Sequence, residues 1–164
     1  MVRNGVDDVC IEVTPIIRRD IPKIVEIEEQ AFIDPWIPEV ISYSIGRSHC
    51  YAIAARYHDE LVGYAIFHLE GTHDLAVIRV SRLAIEKSVR RCGVGGILLD
   101  NLLGRLTPAR PTLVFPVRES NTVAQLWLKQ YGLTCTEIDK GRYADGEDAY
   151  VFEIRYEDVR EQLA

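Results

Sequence analysis

The most informative stretch of the chain is Leu-Ala-Ile-Glu-Lys-Ser-Val-Arg-Arg-Cys-Gly-Val-Gly-Gly, residues 83–96. An apolar strand pattern runs through two arginines into three glycines, and leucines at helical spacing follow. The first N–H groups of a helix lack partners inside the helix and lie at the positive end of its dipole. Glycines leave these groups accessible, and Arg90 and Arg91 add positive charge. The stretch therefore predicts a strand–turn–helix unit that binds a diphosphate.

A simpler interpretation of the same stretch stays open. Glycines after a strand also permit a tight turn, and two arginines can form a solvated corner. The sequence has neither the G-x-G-x-x-G of dinucleotide-binding folds at its first strand nor the Gly-Lys-Ser/Thr ending of nucleoside triphosphatases. The sequence therefore does not predict a dinucleotide or a nucleoside triphosphate as the phosphorylated cofactor of the turn.

The pattern on both sides of the turn predicts a single layered α/β domain over residues 1–164, without repeats or linkers. Predicted strands cover residues 9–17, 51–57, 61–69, 76–85, 112–117, 134–138 and 149–154. The first predicted helix begins after an N-cap at Asp20 and runs through Ile24, Val25, Ile27 and Phe32. Three further helices are predicted over residues 38–45, from Gly93 to Leu106, and over residues 121–130. Asp145-Gly146 predicts a hairpin turn between the last two strands.

Composition narrows the class of protein. The 164 residues carry a net charge of −6, which argues against a protein that mainly binds a nucleic-acid backbone. Four isolated cysteines without zinc-like spacing indicate reduced thiols and no metal site. No stretch resembles a signal peptide or a membrane span, so we expect a cytoplasmic protein that binds no membrane.

Arg90-x-x-Gly93-x-Gly95 after a Leu-Ala-Ile strand resembles the coenzyme A motif of the GNAT acetyltransferase superfamily. The predicted order of elements also resembles that fold, a mixed, mostly antiparallel sheet of six or seven strands with helices on both faces. Val117-Arg118-Glu119-Ser120-Asn121 is similar to a segment of RimI-like and Ard1-like N-terminal protein acetyltransferases. The tail from Tyr143 to Tyr150 is similar to the Ard1 type.

The resemblance implies acetyl-CoA as the acetyl donor, without a metal, and a set of residues that bind it. In the family, the segment that matches Leu83 to Ile85 holds the pantetheine arm and the acetyl carbonyl. The residues of the glycine-rich turn hold the diphosphate, and the residue that matches Asn121 contacts the cofactor arm. The implied residues are Leu83, Ala84, Ile85, Arg90, Arg91, Cys92, Gly93, Val94, Gly95, Gly96 and Asn121. Backbone N–H groups near Ala84 and Ile85 would polarise the acetyl carbonyl. Asn121 could also serve only as an N-cap.

The resemblance also suggests residues for proton transfer and substrate binding. Asp34 falls near the position of an acidic base in Ard1-like enzymes, and His68 lies on a strand beside the presumed acetyl site. Tyr143 corresponds to a tyrosine that holds the substrate backbone. Local alternatives exist, since an Asp before proline caps turns and a strand histidine often only packs. Pro116 and Leu128 stand where RimI-like enzymes carry a glutamate base and a tyrosine acid.

The predicted activity is transfer of an acetyl group to a primary amine by direct attack, with the N-terminal α-amine of a protein or peptide as acceptor. Two alternatives stay open because one fold serves many acceptors. The acceptor could be a small amine or a lysine side chain. The absent glutamate and tyrosine are also compatible with a non-catalytic acyl-CoA-binding module. The sequence makes no prediction of oligomeric state.

Overall fold

The structure is a computed structural model that describes residues 10–72 and 75–164. The chain divides into two compact units. The first comprises the described residues up to Ile66 together with Arg82–Asn101, and the second comprises Phe67–Ser81 and Leu102–Ala164.

The described residues form seven strands in one mixed sheet, which confirms the predicted α/β class. The sheet order is β1-β2-β3-β4-β5-β7-β6. β4 and β5 pair in parallel, whereas β1 and β2, β5 and β7, and β6 and β7 pair antiparallel. The strands are β1 Ile11–Pro15, β2 Cys50–Tyr57, β3 Glu60–Thr72, β4 Leu75–Ile85, β5 Thr112–Arg118, β6 Thr134–Asp139 and β7 Ala149–Arg155.

Five α-helices and two short 3₁₀ turns occur in the described residues. The α-helices are α1 Ile21–Ala31, α2 Pro38–Ile45, α3 Val94–Leu103, α4 Thr122–Gln130 and α5 Tyr156–Leu163. The 3₁₀ turns are Arg18–Asp20 and Lys87–Val89. The first four helices lie where the sequence predicts them. The sequence analysis does not predict α5. This helix has only eight residues, four of them charged, so its apolar stripe of Tyr156, Val159 and Leu163 is short.

Each unit has its own set of buried side chains. In the first unit α1 and α2 contribute Ile24, Ile27 and Ile41, which pack with Leu61, Tyr64 and Ile66 of β3. In the second unit Leu113, Leu128 and Phe152 are fully buried. Burial of apolar surface is the main force that holds such layers together.

Two local predictions need correction. Asp20 precedes α1 as expected, but its carboxylate makes no capping bond to the helix. It accepts bonds from the Ile17 amide and the Arg56 guanidinium instead. Asp145-Gly146 does not close a tight hairpin, because β6 ends at Asp139 and β7 begins at Ala149. Gly146, at φ 85°, closes a turn within this longer loop by donating its N–H to the Tyr143 carbonyl.

Candidate active site

The glycine-rich turn in the first unit has the backbone shape that the sequence predicts. Arg91 and Gly93 have φ values of 64° and 85°, so the chain curls sharply before α3. The Ile97 amide donates to the Gly93 carbonyl at 3.2 Å, which starts the helical bonds there. A side chain at Gly93 would have nothing within 4 Å, and residues 90–93 are exposed. The open turn before a helix N-terminus fits an anionic diphosphate.

Side chains brace this turn against α1. Arg90 donates to the Ile85 carbonyl at 3.0 Å and to the Gln30 carbonyl at 3.3 Å. The Gln30 side chain accepts from the Lys87 amide at 3.0 Å, and Lys23 pairs with Glu86 at 2.6 Å. Arg90, Arg91 and Cys92 are all exposed at the bend, but the Arg90 guanidinium contacts two backbone carbonyls. Arg91 is the exposed cation of the turn that does not take part in these two bonds.

Gly63 on β3 lets the backbone approach this turn closely, and sequence reasoning missed it. A Cβ placed on Gly63 would lie 2.7 Å from Ile85 Cδ1, 3.2 Å from the Ala84 carbonyl oxygen and 3.3 Å from Val94 Cγ1. These neighbours belong to the segment assigned to the cofactor. A glycine inside a strand pattern commonly marks such a close approach, and this was the available signal.

The loop between α1 and α2, residues 32–37, carries Asp34 and surrounds a buried arginine. The Arg82 guanidinium carbon lies 4.2 Å from the centre of the Phe32 ring and 4.7 Å from that of Trp36. Its Nη2 donates to the Asp34 carbonyl oxygen at 2.9 Å. Arg82 is only 8% exposed, whereas Asp34 is exposed. The arginine therefore contacts the start, middle and end of the loop.

Glu28 of α1 contacts both Arg82 and the backbone of the loop. Its side chain is fully buried and accepts hydrogen bonds from the Tyr64 hydroxyl and, at 2.8 Å, from the Trp36 amide. Arg82 Nε lies 3.5 Å from Glu28 Oε1, so the two form an ion pair. Burial raises the pKa of the Glu28 carboxyl, against the opposing effect of these partners. Burial and the neighbouring Glu28 also raise the pKa of Tyr64, which keeps its hydroxyl protonated as a donor.

The second unit holds the other predicted residues. His68 is half-buried on β3, and its Nδ1 lies 2.8 Å from the Ser81 hydroxyl oxygen. Asn121 is the N-cap of α4, with its side-chain oxygen accepting from the Ala124 amide at 3.1 Å. The local N-cap role is therefore present, and the cofactor role of Asn121 stays a prediction.

Tyr143 lies in the loop between β6 and β7, residues 140–148, where Arg118 holds it. The Arg118 guanidinium carbon is 3.9 Å from the centre of the Tyr143 ring. Arg118 Nη1 also pairs with Asp145 at 2.9 Å and with Glu147 at 2.6 Å. Hydrogen bonds from Ser120, together with Arg118, lower the pKa of the Glu147 carboxyl. The loop is thus tied to the end of β5 through a charged network.

The two departures from the RimI-like pattern occupy structural positions. Pro116 lies within β5 opposite Val151 of β7, and Leu128 of α4 is fully buried. Neither side chain can carry a proton.

No group of His, Cys, Asp and Glu that could hold a metal ion occurs among residues 10–72 and 75–164. In the same part of the chain no helix has the length and apolar character needed to cross a membrane.

Comparison with known sequences places these features in a family. Residues 21–133 match the model of the acetyltransferase (GNAT) family. A curated relative is an uncharacterized N-acetyltransferase of Methanocaldococcus jannaschii, 27% identical over 134 residues, or 80% of this chain and 83% of the relative. The family match over residues 21–133 includes α1, the glycine-rich turn and α4.

Three solved structures share the fold. The ribosomal-protein-S18-alanine N-acetyltransferase of Escherichia coli has a TM-score of 0.75 and 21% identity, over 90% of this chain and 94% of that one. Ard1 of Thermoplasma volcanium has a TM-score of 0.77 and 20% identity, over 88% and 97%. The spermidine/spermine N-acetyltransferase of Vibrio cholerae, in mutant form, has a TM-score of 0.75 and 11% identity, over 94% of this chain and 98% of that one. Neighbours of this fold thus include N-acetyltransferases named for an alanine of a ribosomal protein and for spermidine and spermine.

Proposed function

Because the chain belongs to the GNAT acetyltransferase family, whose donor is acetyl-CoA, we propose that its acceptor is the N-terminal α-amine of a protein or peptide. The observation that carries this proposal is the loop between β6 and β7. Arg118 stacks on the Tyr143 ring and pairs with Asp145 and Glu147, so the loop presents a fixed aromatic side chain. A fixed tyrosine can orient an extended peptide backbone through its ring and hydroxyl.

The glycine-rich turn is the proposed donor site. Backbone N–H groups at the start of α3 and the exposed Arg91 would hold the diphosphate. The segment from Leu83 to Ile85 would hold the pantetheine arm, with an N–H group near Ala84 and Ile85 directed at the acetyl carbonyl. When bound, acetyl-CoA supplies a thioester whose carbonyl carbon the acceptor amine attacks directly, which releases the coenzyme as a thiol.

The acceptor must lose a proton, and Asp34 is the proposed group that takes it. Asp34 is exposed on its loop, and Arg82 holds the backbone of this loop through a hydrogen bond to the Asp34 carbonyl. A positioned carboxylate can accept a proton from an ammonium group directly or through one water. His68 is the second candidate, since the Ser81 hydroxyl fixes the ring at Nδ1.

The test begins with isothermal titration of acetyl-CoA into the full chain. A library of peptides with free N-termini is then added, and mass spectrometry identifies acetylated products and the acetylated nitrogen. Peptides blocked at the N-terminus but containing lysine serve as the matched control. Acetylation of free α-amines alone supports the proposal.

Small amines are the second candidate acceptor, favoured by the similarity to a spermidine/spermine N-acetyltransferase. Turnover of polyamines without turnover of peptides would replace the proposed acceptor. Cofactor binding without turnover of any amine would favour the acyl-CoA-binding module, consistent with Pro116 and Leu128. Absence of cofactor binding would contradict the assigned turn.

Asp34 and Tyr143 are then tested individually. Asp34→Asn and Tyr143→Phe should reduce kcat/KM for the peptide while acetyl-CoA affinity stays unchanged. Ser88→Ala, a change at an exposed residue of the turn region with no assigned role, is the control. Full activity in both variants would show that the acceptor site lies elsewhere.

A further inference from the structure

The buried cluster of Arg82, Glu28 and Tyr64 does more than fill the core of the first unit. A buried ion pair contributes little net stability compared with apolar residues of the same volume, so its presence calls for a specific role. The side chains of Arg82 and Glu28 form an ion pair, Glu28 accepts from Tyr64, and both side chains bond to the backbone of the loop of residues 32–37.

The contacts reach the loop at three successive points. The Phe32 and Trp36 rings lie 4.2 Å and 4.7 Å from the Arg82 guanidinium carbon, at the two ends of the loop. Between them the Asp34 carbonyl accepts from Nη2 at 2.9 Å. The Trp36 amide donates to Glu28 at 2.8 Å, which fixes the end that leads into α2. A planar guanidinium can stack and donate at once, which an ammonium cannot.

We propose that Arg82 is a positioning residue for the acceptor amine. With Glu28 and Tyr64 beneath it, it holds the loop of residues 32–37 in one conformation and thereby sets the place of the Asp34 carboxylate. This inference rests on the proposed role of the loop in acceptor binding. It assigns a role to three buried residues that lie outside the glycine-rich turn.

The cluster can act in this way because its members come from rigid elements. Glu28 lies on α1, Tyr64 on β3 and Arg82 on β4, and all are at least nine-tenths buried. The loop itself is exposed at Ile33, Asp34 and Pro35. A loop of this kind keeps a defined geometry only if its backbone is held by such partners, since loops otherwise sample many conformations.

The experiment uses Arg82→Met and Arg82→Lys in the full chain, with Arg56→Met as the matched control. Arg56 is also a mostly buried arginine of the first unit, 12% exposed and paired with Asp20 at 2.6 Å, but it does not contact the loop. Acetyl-CoA affinity is measured by calorimetry, and acceptor KM and kcat are measured with the best peptide from the library.

Loop order has its own readout that needs no activity. The chain has two tryptophans, so Trp127→Phe leaves Trp36, which lies in the loop, as the single tryptophan. Acrylamide quenching then reports the accessibility of Trp36. We expect quenching to increase in Arg82→Met, to increase less in Arg82→Lys, and to stay unchanged in Arg56→Met.

In Arg82→Met we expect the acceptor KM to rise by about tenfold or more, as for loss of a charged hydrogen bond, with acetyl-CoA affinity unchanged. Arg82→Lys should recover part of the loss. An acceptor KM that changes no more than in Arg56→Met would overturn the proposal, and so would an equal loss of cofactor affinity. If Arg82→Met does not fold, Arg82→Lys and Glu28→Gln decide by the same criteria.

Failure of the proposed function gives a different result. If the unchanged chain acetylates no amine, the acceptor role of Arg82 falls with it, whereas quenching still decides whether Arg82 holds the loop. If the chain acetylates polyamines only, the same KM comparison is made with spermidine, and a rise confined to Arg82 variants supports the positioning role.

Discussion

Two loops carry candidate site residues, and a buried ion pair holds one of them whereas partly exposed ion pairs hold the other. Residues 32–37 surround a buried pair, Arg82 and Glu28, whose side chains are 8% and 0% exposed. The loop of residues 140–148 is held by Arg118 through Asp145 and Glu147, which are 49% and 20% exposed. The buried pair cannot lose one partner cheaply, because a desolvated charge is left behind. Partly exposed pairs are screened by water and salt and contribute less.

The largest expected effect is on the buried side of this comparison. Glu28→Ala leaves the Arg82 charge uncompensated and two donors unpaired, and it should lower the free energy of unfolding by about 3–5 kcal/mol. Urea unfolding measures the change. Glu26→Ala, an exposed neighbour on α1, should cost less than about 1 kcal/mol. A loss in Glu28→Ala no larger than in this control would contradict the buried role.

Two glycines provide the next test of the same contrast. Gly63→Ala places a Cβ 2.7 Å from Ile85 Cδ1, so we expect a loss of about 1–3 kcal/mol in stability and weaker acetyl-CoA binding. Gly146→Ala meets nothing within 4 Å and suffers only from its φ of 85°, which costs about 1 kcal/mol. Urea unfolding and calorimetry compare the two variants. Cofactor affinity that drops equally in both would argue against close packing at Gly63.

The exposed network should affect acceptor binding more than stability. Arg118→Met removes the contact with the Tyr143 ring and both ion pairs, and we expect the peptide KM to rise by about three- to tenfold. Steady-state kinetics measure this at low salt. In 1 M NaCl the gap between Arg118→Met and the unchanged chain should narrow, because salt screens exposed pairs. A gap that is insensitive to salt would mean that the network behaves like the buried pair.

The smallest effects are opposite pH dependences. The pKa of Glu28 is raised by burial, so its contribution to stability is fully present below its unfolded pKa, near 4.5, and is lost as pH rises through the folded value. The pKa of Glu147 is lowered by hydrogen bonds from Ser120 and by Arg118, so its contribution is present above about 4.5 and is lost as pH falls through the folded value.

The two pH dependences are separated by measuring the free energy of unfolding of the unchanged chain, Glu28→Gln and Glu147→Gln across a range of pH. Relative to Glu28→Gln, the unchanged chain should gain stability as pH falls from neutral towards 4.5. Relative to Glu147→Gln, it should lose stability as pH falls below 4.5. Slopes of the same sign in both comparisons would contradict this assignment.

The sequence predicted what local patterns encode. The glycine-rich turn, α1 to α4 and the seven strands follow from periodicity, glycines and caps within short windows. The GNAT resemblance at Arg90, Gly93 and Gly95 is confirmed by the family match over residues 21–133. The sequence analysis missed α5 because its apolar stripe covers only eight residues, half of them charged. The assigned roles of Asp34, His68, Asn121 and Tyr143 stay predictions.

Amino-acid order alone thus determined the fold class and the position of the glycine-rich turn, because a strand, a bend and a helix N-terminus are contiguous in the chain. Only the tertiary structure decided which side chains hold the loops of residues 32–37 and 140–148. Glu28 and Tyr64 are 36 residues apart, Asp34 and Arg82 are 48 apart, and Arg118 and Glu147 are 29 apart. Contacts at such separations depend on strand pairing and helix packing, and no local pattern in the sequence encodes them.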